Sequence, residues 1–145
     1  MQLPRWVVAA ASAAQRDTPH RTNVEIEAGL LASAHGRDSG NAFVAEVSEE
    51  LLHVFDNRST VNAIVFDNVE AGISAVLDQS STAIGLLTAK AAPTDSAAYR
   101  AWLLAITDVV IKAARTGDFM GFGGVLVTES EHRFRERLAA ALVVS

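Results

Sequence analysis

The amino-acid sequence predicts an all-α fold, in which residues 1–145 form a single domain built as a bundle of about six or seven helices. Apolar residues recur at intervals of three and four along most of the chain, a spacing typical of helices with one buried face. No strand-like segment of comparable strength is present. A chain of 145 residues is about one domain long and can bury roughly two-thirds of its unfolded surface.

Composition narrows the class of protein. Hydrophobic residues make up 50% and charged residues 20% of the chain, which is too apolar for a disordered protein. No uncharged apolar run reaches the roughly 18 residues that a membrane span needs. The net charge of −5 and the scattered basic residues argue against nucleic acid as a partner. The absence of cysteine excludes disulfides and thiolate chemistry but leaves the compartment open. We expect a cytoplasmic location.

The first predicted helix runs from Pro4 to about Arg16. It is rich in alanine and apolar on most sides, which indicates a helix buried within the core rather than one lying on its surface. Proline is favoured in a first turn, where its missing N–H has no intrahelical partner to lose. The same run superficially resembles a signal peptide with a small-residue cleavage site, and this alternative stays open.

The second predicted helix runs from Asn23 to about His35. Thr22 and Glu25 form a capping box, in which each side chain accepts a hydrogen bond from the other residue's backbone N–H. Gly36 is expected to end this helix in the left-handed conformation.

Apolar spacing then predicts a third helix over residues 43–56. Ser59 is expected to cap a fourth segment that continues through Gly72, either as one bent helix or as two short ones. Further apolar residues extend the helical pattern to about Ala91.

Thr94 is expected to cap the longest helix, with Tyr99 and Trp102 near the centre of the core. The last helix opens at Thr128. Its predicted inward residues are Phe134, Leu138 and Leu142, and its predicted outward pairs are Glu129 with Arg133 and Glu131 with Arg135.

Residues 117–127 join these last two helices and combine four glycines with several large apolar side chains. Two interpretations are open: the side chains fold back and cap the core, or they stand exposed as a docking patch. A phosphate-binding loop is disfavoured because no strand precedes the glycines and no Lys-Ser or Lys-Thr follows them.

The two ends of the chain share a pattern. Trp6 and Trp102 each lie near the start of an apolar helix, and the loop after each helix contains an acidic residue, Asp17 or Asp118. Each loop leads into a Thr-x-x-Glu sequence. Either the fold contains two pseudo-repeated helical hairpins or the likeness arises by chance.

The carboxylates in and after these loops are the candidate metal ligands: Asp17, Glu25, Asp118, Glu129 and Glu131. Calcium and similar hard cations bind about six to eight oxygen atoms, which acidic side chains and loop carbonyls supply. The simpler interpretation is that the glutamates cap helices and oppose the positive end of the helix dipole.

The second of these possible hairpins covers residues 99–131. It contains the segments Tyr-Arg-Ala-Trp-Leu-Leu (99–104), Thr-Gly-Asp-Phe-Met-Gly-Phe-Gly-Gly (116–124) and Thr-Glu-Ser-Glu (128–131). It resembles a group of uncharacterised bacterial all-helical proteins. More distantly it resembles the tellurite-resistance TerB family, whose helical hairpins carry an Asp-Gly turn before a Ser/Thr-x-x-Glu helix start. Here Thr116 replaces the aspartate before Gly117, and Thr18 stands where glycine would follow Asp17.

The resemblance implies a small, non-enzymatic bacterial module of TerB-like type. Such a module would bind a partner protein, a second copy of itself or a divalent metal ion, in a stress response of the tellurite type. Two other classes stay open: an enzyme with a carboxylate-based site between the two hairpins, and a structural subunit of a larger assembly.

Overall fold

The computed structural model describes residues 2–14, 19–56, 64–116 and 129–143. It contains six α-helices: α1 (Leu3–Ala13), α2 (Pro19–Ala34), α3 (Ala42–Asp56), α4 (Val69–Lys90), α5 (Pro93–Thr116) and α6 (Glu129–Ala141). A 3₁₀ turn, His35–Asp38, follows α2. No strand occurs in the described ranges, and the predicted all-α bundle is confirmed.

Helix α1 is buried along most of its surface, as its alanine-rich sequence predicts. It packs against α2, α4 and α5, and Val7, Val8 and Ala10 are among its core residues. Within the described ranges, no helix has the combined length and hydropathy needed to cross a membrane.

Tyr99 and Trp102 lie in the core, as predicted, with 0% and 8% of their surfaces exposed. The Tyr99 ring lies between those of Phe43 and Trp102, with ring centroids 5.8 Å away in each case. Burial raises the pKa of the Tyr99 hydroxyl above its ordinary value. The aromatic cluster joins α3 to α5.

Helix α2 begins earlier than predicted. It starts at Pro19, so Thr22 lies within its first turn and does not occupy the N-cap position. The capping box predicted between Thr22 and Glu25 is therefore wrong. Proline suits a first helical turn, and the earlier start lengthens the helix that makes the most extensive contact with α5.

Gly36 does not end α2 in the left-handed conformation. Among the described residues the glycine with positive φ is Gly40, at φ +75°, which lies just before α3. Gly36 is instead buried against the Trp102 ring, where an added Cβ would lie 2.8 Å from the ring atoms. The close packing of this segment against Trp102 explains the glycine.

Helix α3 begins where polar side chains form two contacts. The Asn41 Oδ1 accepts a hydrogen bond from the Val44 backbone N–H at 3.0 Å and so caps α3. The Asn41 Nδ2 donates to the Asp95 Oδ1 at 2.9 Å, which connects this cap to α5.

Helix α4 is one continuous helix that passes through Gly72 and Gly85. Residues 64–68 are not helical, and the predicted cap Ser59 lies outside the described residues. Helix α5 begins at Pro93, one residue before the predicted cap Thr94. The Ala92 carbonyl accepts the first hydrogen bonds of this helix.

The predicted inward face of α6 is confirmed, with Phe134, Leu138 and Leu142 at most 2% exposed. The outward arginines are paired in part as expected. Arg135 forms two hydrogen bonds to Asp108 of α5, at 2.6 and 3.2 Å, rather than pairing with Glu131. The hydrogen bond and charge of Asp108 raise the pKa of the Arg135 guanidinium.

Candidate functional site

The predicted carboxylate ligands fall into three groups. Glu25 and Glu131 are buried, with 2% and 4% of their surfaces exposed. Glu129 is exposed at the start of α6. Asp17 and Asp118 lie outside the described residues, so their predicted role stays a prediction.

Glu25 lies in the second turn of α2 and faces α1. The Ser12 hydroxyl of α1 donates a hydrogen bond to the Glu25 Oε2 at 2.7 Å, and both side chains are buried. An intramolecular hydrogen bond contributes about 1 kcal/mol to stability. Glu25 also makes a further polar interaction. Its carboxylate therefore has a structural role between α1 and α2.

Glu131 lies in the first turn of α6, on the same inward face as Phe134 and Leu138. A carboxylate at this position opposes the positive end of the helix dipole, and Glu131 makes a further polar interaction. Glu129 forms the predicted ion pair with Arg133, at 2.9 Å, and both side chains are mostly exposed to solvent. The two glutamates of this turn thus have different surroundings.

Within residues 2–14, 19–56, 64–116 and 129–143, no three His, Cys, Asp or Glu side chains are grouped closely enough to hold a metal ion. The described residues alone do not fit a metal centre. A metal site built on Glu25 or Glu131 would need ligands in addition to the described acidic and histidine side chains.

A cleft of about 450 Å³ lies where the end of α1 meets the start of α4. Ala13, Ala14 and Ile73 provide apolar side chains to its lining, and Asp67 and Glu70 provide carboxylates. Ligand sites in proteins typically have volumes of about 300–1,000 Å³ and combine apolar walls with a few polar groups. The cleft has both properties.

Two valines at or just before the start of α4 expose apolar surface. Val69 lines the cleft and is 40% exposed. Val65 precedes it in the chain and is 83% exposed, the highest value among the large hydrophobic residues described. Val69 thus adds exposed apolar surface to the lining of the cleft.

The start of α4 determines the shape of the cleft. The Asn68 Oδ1 accepts a hydrogen bond from the Ala71 backbone N–H at 3.0 Å, which fixes the first turn. Phe66 turns back over Gly72, which leaves no room for a Cβ, and its ring packs beside Trp6 with a centroid distance of 6.1 Å. These contacts hold the segment before α4 against α1.

The sequence-based interpretation did not identify these cleft residues. It extended a helical pattern from Ser59 through Gly72, which placed Asp67 and Asn68 within a helix. One local feature of the sequence does indicate a helix start here: Asn68 directly precedes Val69, and asparagine is among the residues most favoured at an N-cap.

The comparisons with known proteins assign no family, since no family model, no curated protein and no solved structure matches the chain. The cleft and the two buried carboxylates are therefore the features from which a function can be argued.

Proposed function

We propose that this protein is a non-enzymatic helical module of TerB-like type that binds a partner protein, and that the cleft between α1 and α4 is its docking site. The observation that carries the proposal is the cleft itself, whose lining is apolar and acidic and includes the exposed Val69. A short segment of a partner fits such a cleft because it buries apolar side chains while its polar groups reach the rim.

The test compares two substitutions of exposed aliphatic residues on the same helix. Val69→Trp places a bulky side chain in the cleft. Leu86→Trp makes the same chemical change at a residue of α4 that is 55% exposed and does not line the cleft. Neither residue is fully buried, so both variants are expected to fold, which far-UV circular dichroism and thermal melting check.

A randomised heptapeptide library displayed on phage serves as the probe. We expect the wild-type protein and the Leu86→Trp variant to enrich the same family of peptides, and the Val69→Trp variant to lose that enrichment. Enrichment that survives in Val69→Trp would place docking elsewhere and refute the proposal. A mass change in light scattering specific to Val69→Trp would identify the partner as a second copy of the chain.

The TerB resemblance adds the biological setting that we propose, a bacterial stress response of the tellurite type. Cells that lack the gene for this protein should then survive exposure to tellurite less well than cells in which the gene is restored. Equal survival would remove this part of the proposal without affecting the docking site.

The buried carboxylates of Glu25 and Glu131 support a second candidate, weak binding of a divalent cation such as calcium. Carboxylate oxygens are among the ligands that calcium prefers. A cation would need about six to eight oxygen ligands, and loop carbonyls with Asp17 or Asp118 would have to complete the set. The melting experiment described below tests this candidate.

A further inference from the structure

The acidic side chains of the cleft differ in how they are paired. The Glu70 Oε1 accepts a hydrogen bond from the Arg137 Nη1 of α6 at 2.8 Å. Asp67 is exposed, and no Lys, Arg or His of the part of the chain described forms an ion pair with it. Among the described residues, the cleft therefore carries two carboxylates and one neighbouring guanidinium, an excess of one negative charge.

The helix ends at the cleft do not cancel this charge. Helix α1 ends here with no basic residue in its last turn, and its C-terminus carries about half a negative charge from the helix dipole. Helix α4 begins here with about half a positive charge. The two helix ends offset one another, so within the described part of the chain the side chains decide the sign of the local potential.

Apolar groups lie beside these charges. Ile73 is 5% exposed, and with Ala13 and Ala14 it forms the apolar part of the lining. Val65 and Val69 extend apolar surface outward. A ligand that matched this arrangement would combine a positive charge with an aliphatic group.

We infer that the partner segment that occupies the cleft carries a Lys or Arg side chain next to an aliphatic side chain. This inference rests on the proposed docking function and specifies its chemistry. The cation pairs with Asp67, and the aliphatic side chain packs on Ile73 and Val69. The net charge of −5 on the whole chain also favours the approach of a cationic partner.

Arg137 gives the inference a specific consequence. It already holds Glu70, so the cation of the partner has to compete with Arg137 for that carboxylate. Replacing Arg137 with glutamine removes the competitor and leaves both carboxylates for the partner. Arg137→Gln should therefore strengthen binding, although it removes a native contact.

The library selection gives the first test. We expect peptides that depend on the open cleft to contain Lys or Arg beside Val, Ile or Leu. One enriched peptide with arginine is then synthesised together with its citrulline analogue, which keeps the shape of the side chain and removes its charge. Both are titrated into ¹⁵N-labelled protein, and the amide resonances of Val69 and Ile73 report occupancy of the cleft.

We expect the arginine peptide to bind about two- to fivefold more tightly than the citrulline peptide, the range for an exposed ion pair. Asp67→Asn should reduce this preference, and Arg137→Gln should increase it. Asp78→Asn, a neutral replacement at an exposed α4 residue outside the cleft lining, should leave it unchanged. The preference should also fall as salt concentration rises.

The outcomes separate this inference from the proposed function. Cleft-dependent peptides without basic residues would overturn the inference and keep the docking site, as would equal binding of the arginine and citrulline peptides. An Asp67→Asn variant with the wild-type preference would also overturn it. Peptide enrichment that does not depend on the cleft would overturn both.

Discussion

Alanine substitutions at Gly29 and Gly85 should change stability in opposite directions, although both glycines lie within helices. A Cβ at Gly29 of α2 would lie 2.7 Å from the Val110 Cγ2 of α5 and 2.7 Å from the Val8 Cγ1 of α1. A Cβ at Gly85 of α4 would meet no atom within 4 Å. Gly29 thus marks a close approach of three helices, and Gly85 lies on an open surface.

The expected magnitudes follow from two opposing contributions. Replacing glycine by alanine within a helix stabilises it by about 0.5–1 kcal/mol. Overpacking a core costs about 1–3 kcal/mol. The facing valine side chains cannot easily move away from an added methyl group, because their χ1 angles are restricted. We expect Gly85→Ala to stabilise the protein by about 0.5–1 kcal/mol. Gly29→Ala should destabilise it by about 1–2 kcal/mol, since the overpacking exceeds the helix gain.

Urea denaturation followed by far-UV circular dichroism measures both changes. The unfolding midpoint should rise for Gly85→Ala and fall for Gly29→Ala. In a Val110→Ala background, where one of the facing methyl groups is gone, Gly29→Ala should cost less than in the wild type. A Gly29→Ala midpoint at or above that of the wild type would show that the three helices do not approach as closely as described.

Three further predictions concern the core and the metal hypothesis. Trp102→Ala should cost about 3–5 kcal/mol in urea denaturation, and a loss below about 1 kcal/mol would contradict its central position. Burial raises the pKa of Tyr99, the chain's single tyrosine. Its hydroxyl should therefore stay protonated in the folded protein when pH rises through about 10, the pKa of tyrosine in an unfolded chain. The buried hydroxyl contributes fully to stability below that pH and contributes less above it, because the tyrosine of the unfolded chain loses its proton first. Phenolate absorbance near 295 nm that appears at pH 10 with the fold intact would refute this, and Tyr99→Phe should remove the contribution. Millimolar calcium, magnesium or manganese should raise the melting temperature if an ion binds the native state, and Asp118→Asn should reduce the rise. Unchanged melting curves would leave helix capping as the role of the glutamates.

The sequence was sufficient to predict the all-α class and the inward faces of its clearest helices. In α6, Phe134 and Leu138 are buried as their spacing predicts, and in α5 the same holds for Tyr99 and Trp102. Periodicity works here because residues three and four apart share one face of a helix whatever it packs against.

Helix starts were predicted less well. Thr22 has a good capping side chain, yet α2 begins at Pro19, and α5 begins at Pro93 rather than after Thr94. A cap contributes only about 1 kcal/mol. Proline is itself favoured in a first helical turn, and each of these helices begins at the proline that precedes the predicted cap.

The partners of the charged residues and the shape of the cleft depended on tertiary structure. Arg135 lies four residues from Glu131 but pairs with Asp108, which is 27 residues away in the chain. The cleft joins the end of α1 to residues 67–73, and Glu25 is satisfied in part by Ser12 of α1. Helical spacing fixes which residues share a face of one helix, whereas the packing of helices decides which faces meet.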